Sequence, residues 1–383
     1  MSGDARHLLL VGGGHAHVAV LADWIRRGRP GRARATLLTP QPALRYSGMV
    51  PGWMAGEHDR LRGIVDLAGL AAAAGVELSL GRAAAIDPEA RTVTTAAGER
   101  IGFDIASLDT GGVGRAERTL GEDPRLVDIR PIERFVERMA EWRTANCNRA
   151  VRAAPVRAAI VGGGAGGVEL AFAMRNLAGI KVRPEVVLVA GRAGLVPSLS
   201  RAVRRTVAGE LARQDIAVFD EDARFESGAL VTGQAPARSL EPFDIVLAAL
   251  GSAAPEWPGT GGLATDAAGF VAVDEFQRSI SHPHVFATGD VAARTDRAVP
   301  HSGVHAVFAG PKLAANLRAA MESREPGARY RPRWNNLYLL TTGNGRAIAS
   351  YGPVAARGRW VARLKRWIDL RWIDTYAGLA GLR

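Results

Sequence analysis

Residues 8–19 have the sequence LLLVGGGHAHVA, and this stretch decides how the chain begins to fold. An apolar run of strand length is followed by three glycines and then by a helical pattern. Gly12 allows a tight turn, Gly14 lets the backbone approach a phosphate closely, and the N–H groups that open the helix bind phosphate charge. The stretch predicts a strand–loop–helix unit that binds a nucleotide, although His17 stands where the usual fingerprint has a third Gly or Ala.

The same pattern returns 150 residues later in the chain. This second copy carries the full G-x-G-x-x-G fingerprint at Gly162, Gly164 and Gly167, after an apolar strand and before a helix. Each copy is closed by a strand that contains Phe-Asp-Ile and ends near a glycine, at residues 103–111 and at residues 243–251. Two copies of one nucleotide-binding unit predict an α/β chain with two Rossmann-like domains.

The composition of the chain excludes several classes of function. The chain has 383 residues, 47% of them hydrophobic, which is enough for two domains with ample core. Its formal net charge of +11 indicates either a solvated basic surface or attraction to anionic lipid or nucleotide phosphates. No module that interleaves aromatic and basic residues is present, so we expect no nucleic-acid partner, and we expect no metal site. Cys147 is the only cysteine, which excludes an intrachain disulfide and a Cys-pair redox centre.

No N-terminal signal pattern is present, and no apolar run reaches the ~18 residues that suggest a membrane span. We therefore expect a chain that is soluble or bound at a membrane surface.

The remaining segments predict further elements. Residues 45–52 form a loop of small and apolar residues, either an ordinary surface turn or a loop laid against a flat cofactor ring. Glu117–Ile129 is polar and is predicted to be a linker. Val285–Asp290 is a strand that ends in Gly-Asp, and Gly303–Leu317 is a helix. Strands and turns are expected over residues 331–351.

Together these features resemble the flavoproteins that have two dinucleotide-binding domains. The two glycine loops, the two strand-ending glycine segments and the sequence ATGD at 287–290 are most similar to the branch of type II NADH dehydrogenases and sulfide:quinone oxidoreductases. Within that branch, residues 46–52, 303–307 and 364–376 most resemble the flavoprotein domain that some bacteria fuse to selenophosphate synthetase. The resemblance covers almost the whole chain.

The resemblance implies a glutathione-reductase-like fold with discontinuous domains. The FAD-binding domain would comprise residues 1–118 and 264–330, with the NAD(P)-binding domain, residues 119–263, between them. Residues 331–383 would form a C-terminal strand and helix tail that packs against both.

The same resemblance implies where FAD binds. Asp290 matches the acid that hydrogen-bonds the ribityl chain, although a carboxylate at this position also serves as a helix cap. Ser302, Gly303 and Val304 would place the positive end of a helix against the flavin pyrimidine. His15 is a candidate ligand or a plain helix-start residue. The residues expected to bind FAD are Gly12, Gly13, Gly14, His15, Thr39, Ser47, Gly48, Met49, Pro51, Thr110, Gly111, Gly289, Asp290, Gly303 and Val304.

NAD(P)H is expected at the second glycine loop. NADH-specific relatives carry an acid after the next strand, whereas this chain has Ala190-Gly191-Arg192 there. The missing acid and the nearby Arg192 favour use of NADPH at least comparable with NADH, unless Arg192 is an ordinary surface arginine. The residues expected to bind NAD(P)H are Gly162, Gly164, Gly167, Arg192 and Gly251.

Glu169 is the candidate catalytic residue, because it matches the acid that lies near flavin and nicotinamide in the family. It would position the nicotinamide amide or relay a proton. The alternative is a Glu in the first helical turn that only satisfies the helix dipole.

The resulting prediction is an FAD-dependent NAD(P)H dehydrogenase that passes electrons from the flavin to a quinone or another small acceptor. The dehydrogenases carry a Gln pair where this chain has Phe308 and Ala309, which weakens the case for quinone. The single cysteine argues against sulfide oxidation and disulfide reduction. The alternative is a flavoprotein partner of selenium metabolism or a redox sensor with slow turnover.

The segment from Trp360 to Tyr376 predicts an amphipathic helix, with apolar residues on one stripe and arginines beside it. Such a helix suits a membrane interface, or else it packs on the protein itself. The expected location is the cytoplasm, with peripheral contact at the inner face of the cytoplasmic membrane as the open alternative.

Overall fold

Two parallel sheets, each at the centre of its own helical layers, form the frame of the computed structural model. The structure describes residues 6–31, 33–147, 155–233, 237–333 and 335–381, and the side chain of Cys147 lies outside this description. The inner strands of both sheets are nearly completely buried, as expected for parallel sheets covered on both faces, whereas the edge strands at Glu77–Leu80 and Ala217–Phe219 are not.

The helices alternate with strands along most of the chain. In chain order they are α1 (His15–Arg27), α2 (Val50–Met54), α3 (Leu67–Ala74), α4 (Ala116–Leu120), α5 (Ile132–Cys147), α6 (Ala165–Arg175), α7 (Arg201–Arg213), α8 (Trp257–Thr260), α9 (Gly303–Met321) and α10 (Arg359–Ala380).

The strands are short, and most of them follow or precede a helix. In chain order they are β1 (His7–Val11), β2 (Arg34–Thr39), β3 (Ala43–Arg45), β4 (Ile64–Asp66), β5 (Glu77–Leu80), β6 (Ala83–Asp87), β7 (Thr92–Thr95), β8 (Arg100–Gly102), β9 (Ile105–Leu108), β10 (Leu126–Asp128), β11 (Arg157–Val161), β12 (Glu185–Val189), β13 (Ala217–Phe219), β14 (Ala223–Glu226), β15 (Ala229–Thr232), β16 (Arg238–Ser239), β17 (Ile245–Ala248), β18 (Val271–Val273), β19 (Val285–Ala287), β20 (Ala292–Arg294), β21 (Leu337–Thr341), β22 (Ala347–Tyr351) and β23 (Val354–Gly358).

The N-terminal sheet has the strand order β19-β9-β1-β2-β5, and all its pairs are parallel. The apolar run that opens the chain forms the central strand β1, as predicted, and its side chains are buried. Strand β19 joins from a distant part of the sequence and brings α9 with it. Helix α9 packs closely on α1, because a Cβ on Gly310 would lie only 2.7 Å from the Cβ of Ala19.

The central sheet has the strand order β10-β17-β11-β12-β13, again with parallel pairs only. Four strands have the same order in both sheets, which confirms the predicted α/β fold with two Rossmann-like units. The fifth strand differs, because β19 follows the other four in sequence whereas β10 precedes them. The predicted linker Glu117–Ile129 is wrong, because it contains α4 and the edge strand β10. Only Leu126 and Val127 are buried in β10, a run too short to give a periodic signal in the sequence.

A C-terminal unit completes the molecule. Strands β21, β22 and β23 form an antiparallel sheet, and α10 follows it directly. The helix predicted over residues 360–376 is confirmed and is longer, from Arg359 to Ala380. None of the helices in the described part of the chain combines the length and the apolar character that crossing a bilayer requires.

Candidate functional site

The first glycine loop joins β1 to α1 at the carboxyl edge of the N-terminal sheet. Gly12 has a φ of +96°, and a Cβ at this position would meet the backbone of Asp109 and Thr110. Gly14 precedes the first residue of α1, and no side chain caps the helix from that position. The loop therefore needs glycine, because β9 and the residues after it approach the loop backbone closely.

Asp109 closes this loop, and it was not among the residues singled out from the sequence. Its Oδ2 accepts hydrogen bonds from the N–H groups of Ala16 at 2.8 Å and His17 at 3.0 Å. Burial and the nearby Asp290 carboxylate raise the pKa of Asp109 to about 7, although the two N–H groups oppose the shift. An acid directly after a buried strand, beside the predicted Thr110 and Gly111, was the signal in the sequence that could have found it.

Asp290 lies in a 3₁₀ turn, Gly289–Val291, so the strand predicted over Val285–Asp290 ends earlier than expected, at Ala287. Oδ2 of Asp290 is 2.6 Å from Nη2 of Arg130, a residue that follows β10 of the central sheet. Gly289 has a φ of +68°, and a Cβ there would lie 2.8 Å from Oδ1 of Asp109. The structure therefore brings Asp109, Gly289 and Asp290 together at the first glycine loop and joins them to the central sheet through Arg130.

The two histidines of the first loop have different surroundings. His17 is held by the carbonyl of Gly12 and the hydroxyl of Ser107, at 2.6 Å and 2.9 Å. His15 stacks near Tyr46 and Trp372, with ring centroids 5.6 Å and 5.3 Å away. Burial lowers the pKa of each imidazole to about 4, so both are neutral at physiological pH. His17 is thus a structural residue, whereas His15 faces the aromatic side chains that close the site.

The residues predicted as a loop at 45–52 are partly helical. Residues Ser47–Met49 form a 3₁₀ turn, and α2 begins at Val50, so the prediction of a plain loop is wrong. Pro51 at the second position of α2 suits a helix start, because its missing N–H has no partner to lose there. Met49 and Pro51 are buried, Gly48 is half-buried and Ser47 is exposed.

Thr39 ends β2 and is buried. Its hydroxyl donates a hydrogen bond to the carbonyl of Gln41 at 3.2 Å and would lie 2.9 Å from a Cβ on Gly13. The side chain is therefore next to the first glycine loop, as the sequence implied.

A buried ionic cluster surrounds Glu169, near the start of α6. Glu169 accepts a hydrogen bond from the N–H of Thr341 at 2.9 Å. Burial raises the pKa of Glu169 to about 7, and the ammonium of Lys365 on α10 opposes this shift. Nζ of Lys365 lies 3.0 Å from both Oδ2 of Asp369 and the carbonyl of Gly48. Burial works against the charge on Lys365, but Glu169, Asp369 and Tyr46 together raise its pKa.

This cluster joins three parts of the chain: the second glycine unit through Glu169, the turn before α2 through Gly48, and the tail through Lys365. The sequence identified Glu169 but missed Lys365 and Asp369. The signal was present, since Lys365 is one of three lysines among 49 basic residues and has an acid four positions later in the predicted helix.

The second glycine loop joins β11 to α6. Gly162 has a φ of +126°, and Gly167 packs directly on the carbonyl of Gly162. A Cβ on Gly164 or Gly166 would meet no atom within 4 Å, so the loop faces open space at the start of the helix. This is the cradle that a pyrophosphate group requires.

Arg192 lies at the carboxyl end of β12 but is not alone there. Its Nε is 3.1 Å from Oδ2 of Asp222, and its backbone N–H donates to Oδ1 of the same carboxylate at 3.1 Å. The sequence alone predicts no acid near this strand end. The structure supplies one from the turn after β13.

The segments after β9 and β17 meet each other. Val113 and Ala253 form an isolated antiparallel bridge, and a Cβ on Gly111 or Gly251 would meet no atom within 4 Å.

Gly303 and Val304 form the first turn of α9, as predicted. Farther along α9, Phe308 is 40% exposed, and the guanidinium of Arg333 lies 4.4 Å from its ring centre.

The surroundings of the first glycine loop fit a dinucleotide such as FAD. Among the described residues, His15 Nε2 and Ser302 Oγ are buried polar atoms without a hydrogen-bond partner in the protein. Gly111 and Gly303 border open space, and Asp290 offers a carboxylate for hydroxyl groups. Over the same described ranges, no group of three or more His, Cys, Asp or Glu side chains is placed to hold a metal ion.

Comparison with known proteins agrees with this geometry. The profile of the pyridine nucleotide-disulphide oxidoreductase family matches residues 6–313. No curated protein sequence matches the chain with significance.

Solved structures with the same fold include enzymes of several kinds. The sulfide:quinone oxidoreductase from Aquifex aeolicus has a TM-score of 0.78 and 18% identity, over 98% of this chain and 92% of the other. NDH2 from Plasmodium falciparum, solved with NADH, has a TM-score of 0.77 and 12% identity, over 97% and 98%. The water-forming NADH oxidase from Lactobacillus brevis, bound to NADH, has a TM-score of 0.70 and 18% identity, over 91% and 75%. At these identities the likeness concerns the fold.

Proposed function

Because the chain belongs to the pyridine nucleotide-disulphide oxidoreductase family, we propose that it is a dehydrogenase that passes electrons from NAD(P)H through FAD to a quinone or another small acceptor. The enzyme class is an FAD-dependent NAD(P)H oxidoreductase. The observation that carries the assignment is the repeated glycine loop, each copy at the carboxyl edge of its own parallel sheet, with Arg130 and Asp290 joining the two units.

Bound FAD supplies an acceptor for the hydride of NAD(P)H. The protein would hold the reactants close together in the correct orientation and stabilise charge at the site. The two glycine loops would hold the phosphate groups, and the carboxylate of Asp290 would accept hydrogen bonds from ribityl hydroxyls. The first turn of α9 would place its positive end where it stabilises negative charge on the flavin.

Glu169 is proposed to hold or release a proton at its carboxylate. Its pKa of about 7 lets it do so at physiological pH, and the buried ammonium of Lys365 moderates that pKa. Its hydrogen bond from the N–H of Thr341 fixes its orientation. The alternative, a Glu in the first turn that only satisfies the helix dipole, is wrong, because Glu169 is the fifth residue of α6 and the first turn of that helix has no acid.

Quinone is the first acceptor to test, because the sulfide:quinone oxidoreductase from Aquifex aeolicus shares the fold over 98% of this chain. The exposed ring of Phe308, with Arg333 stacked on it, offers an aromatic surface near the start of α9. The likeness to the flavoprotein domain fused to selenophosphate synthetase supports the competing hypothesis, a flavoprotein with a protein client and slow turnover.

Anaerobic reduction followed by an acceptor screen tests this proposal. NADH or NADPH should bleach the bound flavin, and a soluble quinone should restore its colour through many turnovers. Bleaching with negligible turnover on every quinone would favour the competing hypothesis. A flavin that neither nucleotide reduces would contradict the enzyme assignment itself.

Asp290→Ala is expected to yield protein that purifies largely without FAD, because it removes the carboxylate proposed to accept two ribityl hydroxyls. The absorbance ratio at 450 and 280 nm measures occupancy. Asp296→Ala is the matched control, since Asp296 is an acid of the same segment that pairs with Arg294 and Arg297. Full flavin occupancy in Asp290→Ala would show that this carboxylate does not hold the cofactor.

We also propose peripheral membrane contact through the outer face of α10. Trp360 and Trp367 are 57% and 59% exposed, and Arg363, Arg366 and Arg371 are exposed beside them. Indole rings at headgroup level with flanking cations suit an anionic membrane surface.

A further inference from the structure

We propose that Asp222 makes the second nucleotide site select NADH over NADPH, with Arg192 as its paired base. The inference rests on the proposed function, because it concerns the nicotinamide nucleotide. It reverses the preference that the residues after β12 favour when the sequence is considered alone.

The position of Asp222 follows from strand pairing. Strand β13 lies parallel to β12, so their carboxyl ends meet at one edge of the central sheet. Ala190 stands where many Rossmann sites carry the acid that binds the ribose diol, and its N–H donates to the carbonyl of Phe219 at 2.7 Å. Asp222 comes three residues after Phe219 and therefore stands beside the strand end that lacks an acid of its own.

The carboxylate of Asp222 is held in place by the backbone. Oδ1 accepts from the N–H of Arg192 at 3.1 Å, and that donor cannot rotate away. The intervening Gly191 has a φ of +72°, and a Cβ there would lie 3.0 Å from Oδ1 of Asp222. Glycine thus permits the turn and leaves room for the carboxylate.

Arg192, in contrast, is free to move. The two side chains are similarly exposed, Arg192 to 71% and Asp222 to 63%, and exposed ion pairs contribute little stability. Asp222 differs in that it also accepts a hydrogen bond from the backbone N–H of Arg192. A ligand group can draw the guanidinium away from Asp222 at small cost, while Asp222 remains bound to the backbone.

The fixed carboxylate of Asp222 and the movable side chain of Arg192 together determine which ribose the site favours. A 2′-hydroxyl donates a hydrogen bond to a fixed carboxylate. A 2′-phosphate would place a second anion beside that carboxylate, and the two like charges would repel each other. Arg192 can offset only part of this repulsion, so the site favours the unphosphorylated ribose.

The experiment uses FAD-loaded protein and two fragments that undergo no redox chemistry, ADP-ribose and 2′-phospho-ADP-ribose. Calorimetry gives the dissociation constant of each. Wild type should bind ADP-ribose at least about tenfold more tightly, a difference of about 1.4 kcal/mol. Asp222→Ala should shift this ratio toward the phosphorylated fragment by about tenfold or more, mainly through tighter binding of that fragment.

Three further variants separate the possible causes. Adding Arg192→Ala to Asp222→Ala should remove the gain for the phosphorylated fragment. Asp220→Ala removes the same charge from the same turn, and Asp220 makes no hydrogen bond to Arg192 within the described ranges, so it should leave the ratio nearly unchanged. Asp222→Asn keeps an oxygen for the N–H of Arg192, so it must shift the ratio in the same direction even where Asp222→Ala does not fold.

The outcomes are distinct. If neither fragment binds wild type, the proposed function fails at this site. If both bind but the ratio is unchanged in Asp222→Ala and Asp222→Asn, or if Asp220→Ala changes it equally, the inference is overturned while the proposed function stands. A wild-type preference for the phosphorylated fragment also overturns the inference.

Discussion

Asp109 caps α1 with a buried carboxylate, and its charge state sets a pH dependence of stability. Burial raises its pKa from 3.8 to about 7, so between these values the folded chain keeps a proton that the unfolded chain releases. Its contribution to stability is complete below pH 3.8 and is lost as the pH rises through 7, a change of roughly 4 kcal/mol in all.

Asp109→Asn should therefore flatten part of the pH dependence. From pH 5 to pH 7 the free energy of unfolding of wild type should fall by roughly 2–3 kcal/mol more than that of the variant. Urea unfolding of both proteins without FAD, at several pH values, measures the difference, and the other titrating groups cancel in the comparison. Parallel curves for the two proteins would mean that Asp109 ionises normally in the fold.

The sequence predicted residues whose roles come from short motifs, and it missed residues whose roles depend on how distant parts of the chain meet. The glycines of both loops and Asp290 belong to motifs with fixed spacing. Asp109, Lys365 and Asp222 gain their roles because strands and helices distant in sequence meet at the same edge. No spacing rule places the turn after β13 beside the end of β12, so the acid at the second site was visible only in the structure.

Helix α10 has one face in the protein and one in solvent. Val361, Asp369 and Ile373 are buried, whereas Trp360 and Trp367 are exposed on the opposite side. One face of the helix thus packs on the protein, and contact of the other face with a membrane stays a proposal. The stripe could not be assigned from the sequence, because Trp372 packs against Tyr46 while Trp367, five residues earlier, is exposed.

Changing Trp360 and Trp367 together to Ala should reduce sedimentation with anionic vesicles in low salt by about tenfold or more, without lowering the melting temperature. Ile373→Ala is the control for the buried face and should destabilise the fold by about 2–5 kcal/mol. Neutral vesicles should bind neither protein. If intact protein stays in the supernatant with anionic vesicles, the proposed membrane contact is wrong. Truncation before α10 is a poorer test, because it removes buried contacts as well.

Contacts cross between the two sheets and the C-terminal unit. Residues of α2 pack in the same hydrophobic cluster as the central sheet, and the N–H of Ala178 donates to the carbonyl of Met54 at 2.9 Å. The pair Arg130–Asp290 and the cluster around Glu169 cross between units as well.

We therefore expect a single thermal transition. ADP-ribose at a hundred times its dissociation constant should add about 2.7 kcal/mol and should raise the temperature at which flavin fluorescence is released, although flavin binds the other unit. Differential scanning fluorimetry with flavin and tryptophan signals measures both events. Two transitions, only one of which responds to ADP-ribose, would show that the units unfold independently.

Strand β19 comes late in the sequence of the N-terminal sheet, and this affects how the chain folds during synthesis. In vectorial synthesis the central sheet has all its strands once residue 248 has left the ribosome, whereas the N-terminal sheet lacks β19 until residue 287. Until then β9 is an open edge whose four residues are all buried in the finished protein. The first unit to be translated is thus the last to close, and its nascent strands need protection from mispairing while the middle of the chain folds.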